Sequence, residues 1–271
     1  MNTTTKIAVI GGGNMGGALV GGIVAAGVAL SSNICVSDVR QERLNELKSL
    51  FGVRTTADNK EAMAGADVAI LSVKPQNMAE VLPTVRDAGT AVLYISIAAG
   101  VPLSLLEEGL GSSARIIRAM PNVPALVREG VTALAAGKNV TKEDLDLAQD
   151  VFNSVGTTAV VKEELMDAVT GLSGSGPAYV FVMIEALSDA GVLLGLSRDV
   201  SRKLAMQTIL GAAKLCLTSG KHAAEWKDVV ASPGGTTIAG LKALEEGKLR
   251  ATLISAVEAA TLRSIELGKK R

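Results

Sequence analysis

Two short segments, near opposite ends of a 271-residue chain, carry residues able to hold anions. Late in the sequence, Ser232-Pro-Gly-Gly-Thr-Thr237 precedes an apolar-periodic stretch, 238–246. Proline followed by glycine favours a turn, and Ser and Thr favour helix starts. Such a junction aims unpaired backbone N–H groups and two threonine hydroxyls at one point on the positive end of a helix dipole. The chemistry it suits is capture of a small anion, a carboxylate first. Ser232, Gly234, Gly235, Thr236 and Thr237 would form the pocket. Taken alone, the hexapeptide reads equally as a tight turn without a ligand.

The second segment is Gly11-Gly-Gly13-Asn14-Met15-Gly16, directly after the β-branched run Lys6–Ile10. It fits G-x-G-x-x-G between a strand and a helix, the dinucleotide-binding fingerprint. Gly11 allows the sharp turn, Gly13 lets backbone approach a pyrophosphate, and Gly16 lets helix and strand pack closely. A second strand, Asn33–Val36, ends at Ser37, Asp38 and Arg40. Asp38 lies 22 positions after Gly16, near the ~20 typical of a ribose-binding acid. Residues Ile7 to Leu30 carry no charge. Glycines interrupt that run at its centre, which argues against a membrane span or an export signal.

Elements of two kinds must hold these segments. Strand-like runs recur at Ile7–Ile10, Ile34–Val36, Val53–Thr55, Val68–Val73, Val92–Ile97, Arg115–Met120, Val131–Ala135 and Thr158–Val161. Helical stretches such as Gln41–Leu50, Met78–Arg86 and Lys142–Val155 fall between them. This alternation predicts a doubly wound α/β sheet, parallel for its first part, with ligands at the carboxyl ends of its strands. After Val161 the pattern turns helical: Glu163–Leu172, Pro177–Leu194, Asp199–Thr218, Trp226–Val230, Ile238–Glu246 and Arg250–Leu267. The expected division is a dinucleotide-binding Rossmann domain, 1–162, and an all-helical domain for dimerisation and substrate binding, 163–271. Val180, Phe181, Val182, Met183 and Ile184 cover nearly every face of one helix. A helix apolar all round must be buried, and a helical module this small has little interior of its own. A dimer interface is therefore expected, with the core of a monomer as the competing reading.

Composition narrows the chemistry. Lys plus Arg and Asp plus Glu balance at 27 each, and aromatics make up 2%, so no basic or stacking face for nucleic acid is expected. Cys35 and Cys216 are isolated and read as small buried hydrophobes in a cytoplasmic protein. One histidine, His222, beside a turn and expected at the surface, leaves no ligand set for a transition metal and no histidine relay.

A nucleotide at one end and a carboxylate pocket at the other suggest hydride transfer to a small acid. Reducing a C=O requires a proton donor to the developing alkoxide. Hydroxyacid dehydrogenases of this general plan carry a Lys and, one turn later, an Asn after a glycine-rich helix start. The comparable segment here is Gly171–Pro177, and those two positions hold Val180 and Ile184. An imine, once protonated by solvent, accepts hydride with only orientation, a carboxylate anchor and a hydroxyl near nitrogen.

The chain resembles the pyrroline-5-carboxylate reductase family over essentially its whole length. The resemblance rests on Ile10–Leu19, Val73–Pro75, Ser96–Val101, Ile117–Asn122, Gly171–Tyr179 and Asp228–Ile238. It implies that Ser232 and the backbone from Gly234 to Thr237 hold the substrate carboxylate, and that Thr237 hydrogen-bonds the ring nitrogen as the catalytic hydroxyl. It places Asn59 near the adenosine ribose; Val73, Lys74, Pro75 and Ala98 on the nicotinamide side; and Met120 and Asn122 beside them. It further implies a homodimer, often assembled into a pentamer of dimers, with part of each pocket supplied by a partner subunit. NADPH is the expected cofactor, with Ser37 and Arg40 suited to a 2′-phosphate; Asp38 turned inward would favour NADH. The rivals are a reductase of another imine or a hydroxyacid, and a non-catalytic nucleotide sensor.

Overall fold

The computed structural model describes residues 4–86 and 91–269. Among them the chain forms one eight-stranded sheet: β1 (Ile7–Ile10), β2 (Ile34–Ser37), β3 (Arg54–Thr56), β4 (Val68–Leu71), β5 (Leu93–Ser96), β6 (Arg115–Met120), β7 (Gly130–Ala136) and β8 (Gly156–Val160). The spatial order is β3-β2-β1-β4-β5-β6-β7-β8. The first six strands run parallel, β7 is antiparallel to β6, and β8 is parallel to β7. The order reverses at β1, which lies between β2 and β4. Such a reversal is where an open α/β sheet binds ligands.

Period-two alternation divides β1 between two cores. Ile7 and Val9 join Leu19, Val20 and Ile23 of α1 (Asn14–Ala25), Leu47 of α2 (Gln41–Phe51), and Val151 and Phe152 of a later helix, Lys142–Asn153. Ala8 and Ile10 join the opposite layer, made by α3 (Asn59–Met63), α4 (Met78–Val85) and α5 (Leu103–Leu110). Each fully buried aliphatic side chain contributes about 1.5–3 kcal/mol. Lys142–Asn153 is α6, started by a reciprocal capping box between Thr141 and Asp144. Glu163 caps the backbone of Leu103 at 2.6 Å and pairs with the buried Arg118 at 3.4 Å.

Glu163–Leu172 departs from the single helix expected. A short 3₁₀ turn leads into α7 (Met166–Val169), and Thr170–Gly174 is then π-helical. The Thr170 and Ser173 hydroxyls donate to carbonyls four residues back, at 2.9 and 3.1 Å. Such back-bonding, together with two glycines, loosens an α-helix.

The remaining helices are α8 (Gly176–Leu193), α9 (Arg198–Ser219), α10 (Ala223–Val229), α11 (Thr236–Glu246) and α12 (Leu249–Lys269). Two compact units result: Met1–Ser175 with Ala259–Arg271, and Gly176–Glu258. In the first, Ser264 of the returning tail donates to Asp167 at 2.6 Å. In the second, Ser201 donates to the Ser188 carbonyl at 2.6 Å and joins α9 to α8, while Tyr179 reaches the Ala256 carbonyl at 3.3 Å and joins α8 to α12.

One chain does not bury α8. Phe181 is 59% exposed and Val182 65%, and Ile254 on α12 is 69% exposed. The monomer-core reading therefore does not hold. Cys35 is buried as expected, whereas Cys216 is only half-buried, because its helix lacks cover within one chain. His222 is exposed and caps α10: its Nδ1 accepts from the Ala224 N–H at 3.2 Å.

Candidate active site

The loop after β1 has the geometry that its glycines demand. Gly11 has φ +102°, and a side chain there would come within 2.5 Å of the Ser72 carbonyl. A side chain at Gly16 would strike the Gly11 carbonyl oxygen. Over Gly13 the space is open, with nothing within 4 Å of where a Cβ would stand. Gly13 is also the cap residue of α1, and no side chain caps that helix start. The first-turn amides of Asn14, Met15 and Gly16 thus meet an open approach at the positive end of the helix. A dinucleotide pyrophosphate fits this cradle.

Asp38 turns inward. Its Oδ2 accepts the Gly12 N–H at 2.9 Å, and its Oδ1 accepts the Arg40 N–H at 2.9 Å and Nε at 3.1 Å. The Asp38 side chain is 8% exposed and that of Arg40 61%. Burial opposes the Asp38 charge. Hydrogen bonds from the Arg40 side chain and backbone, with the Gly12 amide, outweigh it and hold the carboxyl below its ordinary range. The condition that favours NADH is therefore met, but the same carboxylate is matched by a guanidinium at the rim.

Ser37 and Asn59 face each other rather than open space. The buried Ser37 hydroxyl donates to Asn59 Oδ1 at 2.7 Å, and Asn59 Nδ2 donates to Thr84 at 3.0 Å. Arg43, which no sequence motif marks, reaches the loop from α2. Its Nε donates to the Gly12 carbonyl at 2.5 Å and its Nη2 to the Gly13 carbonyl at 3.3 Å. One signal was available: the second glycine of Gly16-Gly17 has no task in the fingerprint. A side chain at Gly17 would strike Arg43 Nη2.

The nicotinamide-side candidates lie at the carboxyl ends of β4, β5 and β6. Val73 stands beside Gly11, Lys74 caps the short turn that starts at Pro75, and Ala98 is buried. Met120 ends β6, its methyl group 2.8 Å from where a side chain on Gly174 would stand. Asn122 uses both ends of its amide. Oδ1 accepts the Val131 N–H at 3.0 Å, and Nδ2 donates to the Ser173 carbonyl at 3.2 Å. The β6 loop is thereby tied to the π-helical turn. Asn122 was expected beside a cofactor; its polar atoms here serve the protein.

In the helical unit, Ser232 opens a turn closed by its carbonyl and the Gly235 N–H at 3.1 Å. Pro233 stands second and Gly234, at φ +66°, third, the pattern of a type II turn. A side chain at Gly235 would strike the Ser232 hydroxyl. Gly235, not Ser or Thr, is the cap residue of α11, and no side chain caps this start either. Thr236 is exposed and Thr237 half-buried, and both lie in the first turn. The arrangement delivers free amides and two hydroxyls, as the sequence suggests, although the threonines stand inside the helix.

Two family models match the chain. Residues 163–267 match "Pyrroline-5-carboxylate reductase dimerisation", and residues 6–100 match "NADP oxidoreductase coenzyme F420-dependent". The pyrroline-5-carboxylate reductase of Methanosarcina acetivorans is 49% identical over 266 residues, 98% of each chain. A solved pyrroline-5-carboxylate reductase from Coxiella burnetii superposes with a TM-score of 0.94 at 41% identity, covering 97% of this chain and 98% of that one. The Plasmodium falciparum pyrroline carboxylate reductase, solved with NADP bound, has a TM-score of 0.88 at 36% identity, covering 98% and 99%. Identity of this order, spread over nearly the full length of each chain and joined to the dimerisation match, shows that this chain belongs to the pyrroline-5-carboxylate reductase family.

Proposed function

We propose that this protein reduces the C=N bond of 1-pyrroline-5-carboxylate to give L-proline. The observation that carries the reading is the Ser232–Gly235 turn, which ends on an uncapped helix start followed by two threonines. The first-turn amides and the Ser232 hydroxyl bind the carboxylate, and Thr237 orients the ring nitrogen. The imine is protonated by solvent, so no side chain has to act as a strong acid. The reduced nicotinamide supplies the hydride. The glycine loop holds its pyrophosphate through the amides of Gly13 to Gly16, with Val73 to Pro75, Ala98 and Met120 on the nicotinamide side. Turnover of pyrroline-5-carboxylate, set against the six-membered imine and simple keto acids, tests this; activity confined to keto acids would overturn it.

NADPH is the cofactor assigned, with Arg40 at the rim able to meet a 2′-phosphate. The inward Asp38 supports NADH as a second substrate. The ratio of kcat/KM values for the two measures the balance. The exposed apolar faces of α8 and α12 are assigned to a dimer, five of which make a pentamer of dimers, with a partner subunit completing each pocket. The helical stretch Glu163–Leu193 is long and apolar enough to cross a membrane by length and composition; the match to a dimerisation model favours a protein partner for it. The Rossmann domain is assigned to 1–162 and the dimerisation domain to 163–271. A cytoplasmic setting is assigned as well, and the two free cysteines are compatible with a reducing compartment.

A further inference from the structure

We infer that Arg43 is a positioning residue for dinucleotide binding, acting through the backbone of the glycine loop. The inference rests on the reading of that loop as the cofactor site. A trans peptide is planar, so its N–H points opposite to its C=O. The Gly12 carbonyl shares its peptide with the Gly13 N–H, and the Gly13 carbonyl shares its peptide with the Asn14 N–H. Arg43 holds the first carbonyl at 2.5 Å and adds a contact at 3.3 Å to the second, which also accepts the Gly17 N–H of α1 at 2.8 Å. The Gly13 N–H is thereby turned to the side away from the guanidinium, the Asn14 N–H is set by the helix with Arg43 in support, and nothing stands within 4 Å of the Cβ position at Gly13.

Three further observations fit a built device. The Arg43 side chain is 19% exposed, and its Nη1 pairs with Glu46 at 2.6 Å, which leaves Nε and Nη2 for the loop. The bare Gly17 makes room for it, since a side chain there would strike Nη2. From the other side of the same peptide chain, Asp38 pulls the Gly12 N–H at 2.9 Å. A cation on the carbonyl oxygens also polarises both peptides and strengthens their N–H groups as donors. Lysine could supply charge but not the two-pronged geometry.

Because Arg43 acts on the part of the loop that meets the pyrophosphate, it serves NADPH and NADH alike. A contact with a 2′-phosphate would serve NADPH alone. The test is a titration of wild type, Arg43→Lys and Glu46→Gln with each dinucleotide, followed by nicotinamide fluorescence, with KM and kcat measured for both. Arg43→Lys is expected to weaken both by about tenfold and by the same factor, with KM for the cofactor moved more than kcat. Glu46→Gln, at the exposed end, should weaken both about twofold. Unchanged affinity in Arg43→Lys, a loss confined to NADPH, or a fall in kcat alone would overturn the inference. Should Arg43→Lys not fold, Glu46→Gln decides: an equal loss for both supports the inference, and no loss overturns it. Wild type that binds neither dinucleotide would instead sink the cofactor reading, and the inference with it.

Discussion

The glycine loop and the Ser232–Thr237 turn both end on an uncapped helix start, yet they are held very differently. The loop is pinned from Asp38, Arg43 and the close-packed Ser72 strand end. The turn is closed by one backbone hydrogen bond, and Ser232 and Thr236 are exposed. Preorganised donors bind without losing conformational entropy on contact, whereas a surface turn must be fixed by something else. The same contrast runs through the cores. The sheet buries its apolar side chains within one chain, while α8 leaves Phe181 and Val182 uncovered. One region is complete as a monomer and the other is built for company.

Substitutions can break that contrast. The largest effect is expected for Phe181→Glu, which would bury an unpaired charge in the subunit contact at a cost of about 3–5 kcal/mol. Sedimentation should show the dimer dissociation constant raised by roughly two to three and a half decades, matching that energy, with turnover lost alongside; an intact dimer would remove α8 from the interface. Gly16→Ala comes next. Its methyl group would collide with the Gly11 carbonyl, costing about 1–3 kcal/mol of stability and abolishing dinucleotide binding, both measurable by thermal unfolding with and without NADPH. Thr237→Ala should lower turnover about tenfold while the dissociation constant for NADPH stays as it was. An equal loss of cofactor affinity would mean that the two regions are not independent.

Asp38→Asn is expected to act least, shifting the NADPH-to-NADH preference a few-fold, on the order of one hydrogen bond to a charge. It also carries a pH signature. The Asp38 carboxyl is held below its usual range, so its contribution to stability is complete above about pH 4 and fades as acid protonates it. The variant should lose that part of the acid slope in an unfolding titration, and an unaltered slope would mean the carboxylate is not tied down.

Much of this was legible in the residues. All eight strands fall within two or three residues of their expected ends, because buried β-branched runs between glycines and helical stretches leave few alternatives. The glycine loop and the late turn were legible because positive φ at Gly11 and Gly234 admits almost no other residue. What was hidden came from side chains meeting across sequence. Arg43 lies on an ordinary amphipathic helix, and nothing in its neighbours announces a carbonyl 31 residues earlier. The resemblance puts Asn122 beside the cofactor, but its amide contacts to Val131 and Ser173 are not legible in the residues around it. The π-helical turn was missed because apolar periodicity over so short a stretch cannot separate it from an α-helix.

The returning tail has a practical consequence. Ala259–Arg271 belongs with Met1–Ser175, and Ser264 is bonded to Asp167 near the end of that first stretch. The sheet-bearing half is thus assembled from two pieces of polypeptide, and a single cleavage between them cannot release it whole. Anyone wishing to isolate it would have to excise the intervening helices and rejoin the ends; simple truncation after residue 175 would strip away its final segment.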